Sequence, residues 1–444
     1  MKSVGTVSVV GLGKLGTPFL VSLASRGFRA IGVDVNLVNV AQINRGISPI
    51  FEPRVPEFLK KYKRLISATT DINKAINNSQ LTFIIVPTPS QKNGEFTNKF
   101  IISSLQKIGE ALKSKSTYHL VTIVSTIMPG SMDQELRPEL EKAARKKIGA
   151  DLGFCYSPTF IALGDVIRNL LEPDFLLIGQ SDKKAGDILS GFYTDFCTNR
   201  PPIRRMNFIN AEISKLALNT FITTKISYAN MLSEICEKLP GADVDVVTQA
   251  IGSDSRVGHK YLKGAVCYGG PCFPRDNRAL TSIGKKINVK LDIAQATDAI
   301  NFRQTEKIIS LLSPYLTRID TIGIVGLAYK PDTDVIEESQ GLKLVKYLRR
   351  FRKKILVYDP VFTKQKLRFA DSVKVARNLG TLLKYVDALI LTSAEPKLVI
   401  DLQQRLTNLA GKNIIVLDCW RSLKSESFSS GIIYIPRGRS LHTS

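Results

Sequence analysis

Cysteine and histidine are scarce in this chain of 444 residues, six and three respectively, and no Cys-x-x-Cys pair occurs. So few thiols argue against a disulfide framework, and the shortage of histidine removes the usual ligands of a zinc site. No metal is expected, and free thiols suit a reducing, cytoplasmic setting. Long apolar runs are missing as well. None approaches the roughly 18 residues that a spanning helix needs, so no membrane partner is expected. The first 27 residues imitate a leader, with Lys2, an apolar stretch and Ser22-Leu-Ala-Ser25, yet glycines at fixed spacing interrupt them. They read instead as strand, turn and helix.

Acidic residues are outnumbered, 39 against 62 Lys and Arg, for a formal net charge of +23. Such an excess raises the question of nucleic acid, because lysines and arginines gain affinity from phosphates by releasing counterions. The basic residues are scattered, however, in runs such as 60–64, 142–147 and 349–354. Runs of this kind read as solvated helical faces that attract small anions, and no nucleic-acid partner is expected.

The length suits two or three domains of roughly 100 to 200 residues each. Up to about residue 200 the pattern alternates: strand 7–10, helix 15–25, strand 30–34, then buried-strand runs at 81–86 and 120–124. Alternation of this kind implies a parallel sheet covered by helices on both faces. Proline and glycine are then absent between Pro202 and Pro240, while Ile209, Ile213, Leu216, Phe221, Ile226 and Ile235 recur at roughly helical spacing. One long helix fits that interval. A polar, glycine-punctuated stretch (252–270) follows, then more helix to about Leu312. From Thr321 the opening returns: Gly326-Leu-Ala328 stands where the first copy has Gly11-Leu-Gly13, with strands expected at 355–359, 388–391 and 414–418. The fold class is therefore α/β, with two doubly wound (Rossmann-like) domains joined by a long central helix and helical segment. The expected divisions are 1–200, 201–312 and 313–444. Ala328 in place of glycine makes the second copy less suited to a pyrophosphate.

Gly11-Leu-Gly13-Lys-Leu-Gly16 follows an apolar strand and opens a helix, and Asp34 ends the next strand. Gly11 permits the tight turn, Gly13 lets a pyrophosphate approach, Gly16 lets helix and strand pack, and Asp34 accepts from a ribose hydroxyl. An acid there repels a 2′-phosphate, so NAD is expected rather than NADP. A second motif, Tyr268-Gly-Gly-Pro-Cys272-Phe-Pro-Arg-Asp276, sets one thiol between tight glycines and an Arg-Asp pair. That context holds a reactive thiol better than a core one, since a nearby cation or helix N-terminus enlarges the thiolate fraction. Lys215 and Asn219, four apart on the long helix, emerge on one face. Together with Cys272 and Asp276 they supply a thiol, an oxyanion donor, a base and a water activator, which an oxidation of alcohol to acid requires.

In these motifs the chain resembles the UDP-glucose/GDP-mannose dehydrogenase family of nucleotide-sugar 6-dehydrogenases. The likeness extends through Val86-Pro-Thr-Pro89, Ser125-Thr126, Pro129-Gly130, Ser157-Pro-Thr-Phe160, Ala211-Glu-Ile-Ser-Lys215, Arg256-Val-Gly258, Gly326-Leu-Ala-Tyr-Lys330 and Asp418-Cys-Trp-Arg421. The resemblance implies an oxidation of a sugar C6 alcohol to a carboxylate, through a thiohemiacetal and a thioester on Cys272, with two NAD reduced per sugar. It implies catalytic roles for Cys272, Lys215, Asn219, Asp276 and Thr126. It assigns NAD to Gly11, Leu12, Gly13, Lys14, Leu15, Gly16, Asp34, Thr88, Ser125, Thr126 and Arg275. The nucleotide sugar falls to Thr159, Phe160, Lys215, Asn219, Lys263, Tyr268, Gly269, Tyr329, Lys330 and Arg421, with Arg256 reaching in from a neighbouring subunit of a homodimer or larger assembly.

The chain departs from its relatives at a few positions. Thr159 and Leu163 replace acids, Glu337 replaces a cofactor arginine, and Arg275 replaces a lysine. Threonine cannot act as a base at neutral pH, and general-base help is typically worth roughly 10² to 10⁴ in rate. Thioester hydrolysis is therefore expected to be slow or to run through Asp276 and a water held by Thr159, with UDP-glucose as the leading substrate. The alternatives are a UDP-N-acetyl-hexosamine or GDP-mannose 6-dehydrogenase, a one-step hydroxy-acid dehydrogenase, and a degenerate relative that binds without oxidising.

Overall fold

A computed structural model describes residues 4–362, 373–409 and 411–440. The chain divides between Ala217 and Leu218 into two compact units, each built on one sheet. The first unit contains strands β1 (Thr6–Val10), β2 (Arg29–Val33), β3 (Ile66–Thr69), β4 (Leu81–Ile84), β5 (His119–Ile123), β6 (Leu152–Tyr156), β7 (Leu176–Gln180) and β8 (Ile203–Met206). They stand in the order β3-β2-β1-β4-β5-β6-β7-β8. Neighbours run parallel except β6 and β7.

Alternation along the strands sends side chains to opposite faces, and both faces are apolar. Val7, Val9, Leu81, Phe83 and Leu120 enter one core, where Phe19, Phe192 and Phe196 pack. Val10, Ile84, Val121 and Ile123 enter the other, against Ile101, Leu105 and Ile108. The strand order reverses between β1 and β4, and in open sheets of this kind ligands bind outside the strand ends at such a reversal.

The second unit repeats the design with six strands: β9 (Thr321–Val325), β10 (Lys354–Tyr358), β11 (Val373–Val375), β12 (Ala388–Leu391), β13 (Ile414–Asp418) and β14 (Ile432–Pro436). Their order is β11-β10-β9-β12-β13-β14, all parallel. Ile322, Ile324, Ile390 and Leu417 fill one core, and Val325, Leu389, Leu391 and Val416 the other.

The long helix runs from Phe208 to Cys236. It does not occupy the whole proline-free interval, because β8 precedes it and pairs with β7. A stretch free of proline and glycine suits a strand as well as a helix, and here the edge of the sheet satisfies the backbone of residues 203–206. Of the apolar residues spaced along the helix, Leu216 is buried, whereas Ile209, Ile213, Phe221 and Ile235 stay exposed. No described helix is long and apolar enough to cross a membrane, and no described group of His, Cys, Asp and Glu could hold a metal ion.

Candidate active site

The turn after β1 is built as its glycines suggest. Gly11 has φ +97°, and a Cβ there would lie 2.3 Å from the Ile85 carbonyl oxygen. A Cβ on Gly16 would lie 1.8 Å from the Gly11 oxygen, so the helix Gly16–Ser25 can seat against the turn only through glycine. Gly13 differs: a Cβ there would meet nothing within 4 Å. Packing does not require that glycine, so the open space beside it fits a ligand's close approach. The helix that follows has no side-chain cap at its start; Thr17 donates its N–H to the Gly13 carbonyl and Pro18 has none, so the first turn offers an anion the Gly16 N–H. Asp34 accepts from the Leu12 N–H through Oδ2 (2.7 Å) and from the Asn36 N–H through Oδ1 (2.8 Å), and it is only partly buried. Lone pairs remain on both oxygens for ribose hydroxyls. These residues fit NAD.

Loops at the far ends of β4, β5 and β6 carry the neighbouring candidates. Thr88 Oγ1 donates to the Thr126 carbonyl (2.7 Å) and Ser125 Oγ to the Val86 carbonyl (2.6 Å), which ties the two loops together. Glu212, fully buried on the long helix, accepts from the N–H groups of Gly130 and Met132 at 2.7 and 2.8 Å. Burial pushes its carboxyl pKa up, opposed by those two hydrogen bonds. One turn along, Lys215 Nζ donates to the Thr159 carbonyl (2.9 Å) and lies 4.6 Å from the centre of the Phe160 ring. Glu52 holds the end of that loop by accepting from Gly164 and Val166. Sequence reading gave no role to Glu212 or Glu52. Their function lies in backbone partners 80 or more residues away, which spacing does not report.

In the second unit, Cys272 occupies the N-cap position of the helix Phe273–Lys286 and is the one exposed cysteine; the other five are buried. Asp276, one turn on, is fully buried. Its Oδ2 accepts from Asn219 Nδ2 at 2.6 Å, its Oδ1 lies 3.3 Å from Arg275 Nε, and its N–H donates to the Cys272 carbonyl at 2.8 Å. Asn219, Arg275, Cys272 and Asp276 thus meet in one cluster.

The residues assigned to the nucleotide sugar separate into three kinds. Lys263 and Arg256 are exposed, Arg256 forked onto its own Asp254. Tyr329 and Lys330 are partly buried after β9, and the Tyr329 ring would lie 2.5 Å from a Cβ on Gly270, itself at φ +79°. Tyr268, Gly269 and Arg421 are turned inward. Tyr268 donates its hydroxyl to Asp298 (2.6 Å), and Asn301 engages both its backbone groups. A Cβ on Gly269 would strike the Glu338 carbonyl oxygen at 2.5 Å. The Arg421 guanidinium forks onto Asp245 at 2.7 and 2.9 Å and donates to the Arg437 carbonyl, so its donors serve the protein interior.

Three successive stretches match the UDP-glucose/GDP-mannose dehydrogenase family: its NAD binding domain at residues 5–197, its central domain at 209–303 and its UDP binding domain at 323–425. The chain belongs to that family. It is 31% identical over 395 residues to the UDP-glucose 6-dehydrogenase AglM of Haloferax volcanii, covering 87% of this chain and 90% of the relative. It is also 31% identical over 415 residues to the GDP-mannose 6-dehydrogenase of Pseudomonas aeruginosa, covering 93% and 90%. Among solved structures, a UDP-glucose dehydrogenase from Pyrobaculum islandicum superposes with a TM-score of 0.88 at 28% identity, over 98% of both chains. As a member of this family the chain is an NAD-dependent nucleotide-sugar 6-dehydrogenase.

Proposed function

We propose that the chain oxidises the C6 alcohol of UDP-glucose to the uronic acid through a covalent bond to Cys272. The observation that carries this reading is the exposed Cys272 thiol at a helix start, with Asp276 one turn on held by Asn219. When bound, NAD would supply the hydride acceptor for both oxidations. Gly11 to Gly16, including Leu12, Lys14 and Leu15, would hold it with Asp34, Thr88, Ser125, Thr126 and Arg275.

At the aldehyde level, the Cys272 sulfur adds to C6 and the carbonyl oxygen takes up a proton, giving a thiohemiacetal. Covalent capture keeps the aldehyde from escaping before the second oxidation. At the acyl level the C6–sulfur bond breaks as water adds, and carboxylate and thiol are released. Lys215 and Asn219 stabilise the oxyanion, Asp276 with Lys215 handles the protons, and Thr126 lines the reacting centre. Thr159 orients water without removing its proton, so hydrolysis is the slow step. Thr159, Phe160, Lys263, Tyr268, Gly269, Tyr329, Lys330 and Arg421 belong to the nucleotide-sugar side of this reading. Tyr268 and Gly269 act there through the path of their backbone, and Arg421 through its hold on Asp245.

We further propose a cytosolic homodimer in which Arg256 reaches the partner's substrate and residues 201–312 form the contact. The exposed Ile213, Phe221 and Ile235 of the long helix support that assembly, and six cysteines in no disulfide support a reducing compartment. A panel of UDP-glucose, GDP-mannose and UDP-N-acetylmannosamine, followed by NADH absorbance, tests the substrate. UDP-glucose should give two NADH per sugar; one or none would sink the four-electron reading. Rapid quench should trap labelled sugar on the protein, and Cys272→Ala should abolish both trapping and net acid formation.

A further inference from the structure

Residues 263–270, which lead into Cys272, form no strand, and side chains take the place of strand neighbours. Asn230 accepts from the Ala265 N–H at 2.8 Å and donates to the Val266 carbonyl at 3.1 Å. Gln340 accepts from the Cys267 N–H at 3.2 Å, and Asn301 binds both backbone groups of Tyr268 at 2.8 and 3.1 Å. The Ala265 carbonyl has a different partner, the guanidinium of Arg437.

Arg437 is fully buried just past β14, beyond the last residue that the family's domains match. Its guanidinium donates to the Ala265 carbonyl and to Gln304 Oε1, and its Nε lies 3.8 Å from a Glu237 oxygen. Glu237 also accepts from the Gly438 N–H at 3.0 Å. The same short tail fixes the helix Val244–Gly252: Val244 donates its N–H to the Gly438 carbonyl, and Arg439 pairs with Asp243 at 2.6 Å. Burying a guanidinium is costly unless it is well partnered, whereas the asparagines show that neutral amides can hold this backbone. A charged donor makes a stronger and shorter bond to the carbonyl it meets, and its planar fork fixes a direction as well as a distance.

We propose that Arg437 is a positioning residue for the oxidation. It sets the path of residues 263–270, and through them the placement of the nucleotide sugar and of the Cys272 sulfur, while touching neither. This inference rests on the reading above, in which Cys272 is the nucleophile and this segment receives the nucleotide sugar.

Arg437→Lys keeps the charge and loses the fork. With UDP-glucose as substrate, its KM should rise about tenfold, equivalent to about 1.4 kcal/mol of lost substrate binding. The KM for NAD should not change. Alkylation of Cys272 by iodoacetamide should change rate several-fold, a selective readout because the other cysteines are buried. A merely structural role would lower the melting temperature and the active fraction while leaving KM and alkylation rate as in the parent, and that result would overturn the proposal. If Arg437→Lys fails to fold, Gln304→Met removes one acceptor of the fork, and an unchanged KM for UDP-glucose there is equally fatal. Cys272→Ala separates the two levels of argument. Acid formation that survives it defeats the covalent reading and this inference together, whereas abolished acid formation beside an unaltered Arg437→Lys enzyme defeats this inference alone.

Discussion

The turn after β1 and the turn after β9 share a backbone plan, and their donors end in different places. Gly11 donates its N–H to the Val33 carbonyl, and Gly326 donates likewise to the Tyr358 carbonyl, each reaching the end of the adjacent strand. Both glycines have φ near +100°, at +97° and +102°. In the first unit, Asp34 accepts from one N–H of its turn, Gly13 faces open space, and the helix start is uncapped. In the second, Asp359 is buried and one of its oxygens accepts from both Leu327 and Ala328, at 2.7 and 3.0 Å, while the other accepts from Val361 at 2.9 Å. Ser339 caps the following helix through its own hydroxyl. The glycine that lets helix meet turn is Gly341, whose Cβ would strike the Gly326 oxygen at 2.3 Å, so it stands fifteen residues on instead of five. One copy keeps donors for a dinucleotide, and the other satisfies them internally. A repeated fold therefore does not repeat its ligand, because the ligand depends on which polar groups the fold leaves unmatched.

That contrast can be broken at several points. The largest effect is expected from Gly16→Ala, which should raise the NAD Kd more than about a hundredfold, since a methyl group cannot share space with the Gly11 oxygen; equilibrium dialysis against NAD checks it. Gly341→Ala meets the same clash in the second unit. It should cost about 3 kcal/mol of stability in denaturant unfolding, the upper end for overpacking, and leave the NAD Kd unchanged. Next comes the pair of carboxylates. Asp34→Asn should weaken NAD about tenfold, or about 1.4 kcal/mol by calorimetry. Asp359→Asn should destabilise the second unit by about 2 kcal/mol, because one amide group must then face a backbone N–H, and NAD affinity should not move.

The units should also differ in acid. His119 is buried in β5, its Nδ1 3.0 Å from Lys115 Nζ and its Nε2 2.7 Å from Thr82 Oγ1. Burial first, and the Lys115 ammonium second, lower its pKa from 6.5 to about 3. A depressed folded pKa means that the unfolded chain takes up the proton first. The stability this group contributes is complete above pH 6.5 and is lost as the pH falls from there toward about 3. His259, the second unit's described histidine, is exposed. His119→Gln should therefore flatten the fall in melting temperature between pH 7 and about 5, and a parallel fall in parent and variant would count against this account. The smallest effect is expected from Ala328→Gly. It should cost no more than about 1 kcal/mol through added freedom of the unfolded chain, and it should create no NAD site, because Asp359 already holds the N–H groups of that turn.

Local chemistry was readable from the chain alone. A positive φ at Gly11, the close seat of Gly16, the acid at the end of β2 and the thiol at a helix start each depend on residues within one turn or one strand, so spacing and residue type declared them. The parallel sheets followed from alternating strand and helix patterns, and the long helix from its lack of proline and glycine. Only the folded chain could show that β8 precedes that helix, that Glu212 and Glu52 hold loops far from them in sequence, or that Asn230, Asn301 and Arg437 support the segment before Cys272. Nor could the chain announce that Asp359 would occupy the donors of the second turn. Apart from β8, each of these is a buried polar group meeting a backbone partner from about 30 to more than 150 residues away. Side-chain type restricts what such a group can bond, but the tertiary fold selects its partner, because only the fold removes water and leaves one group within reach.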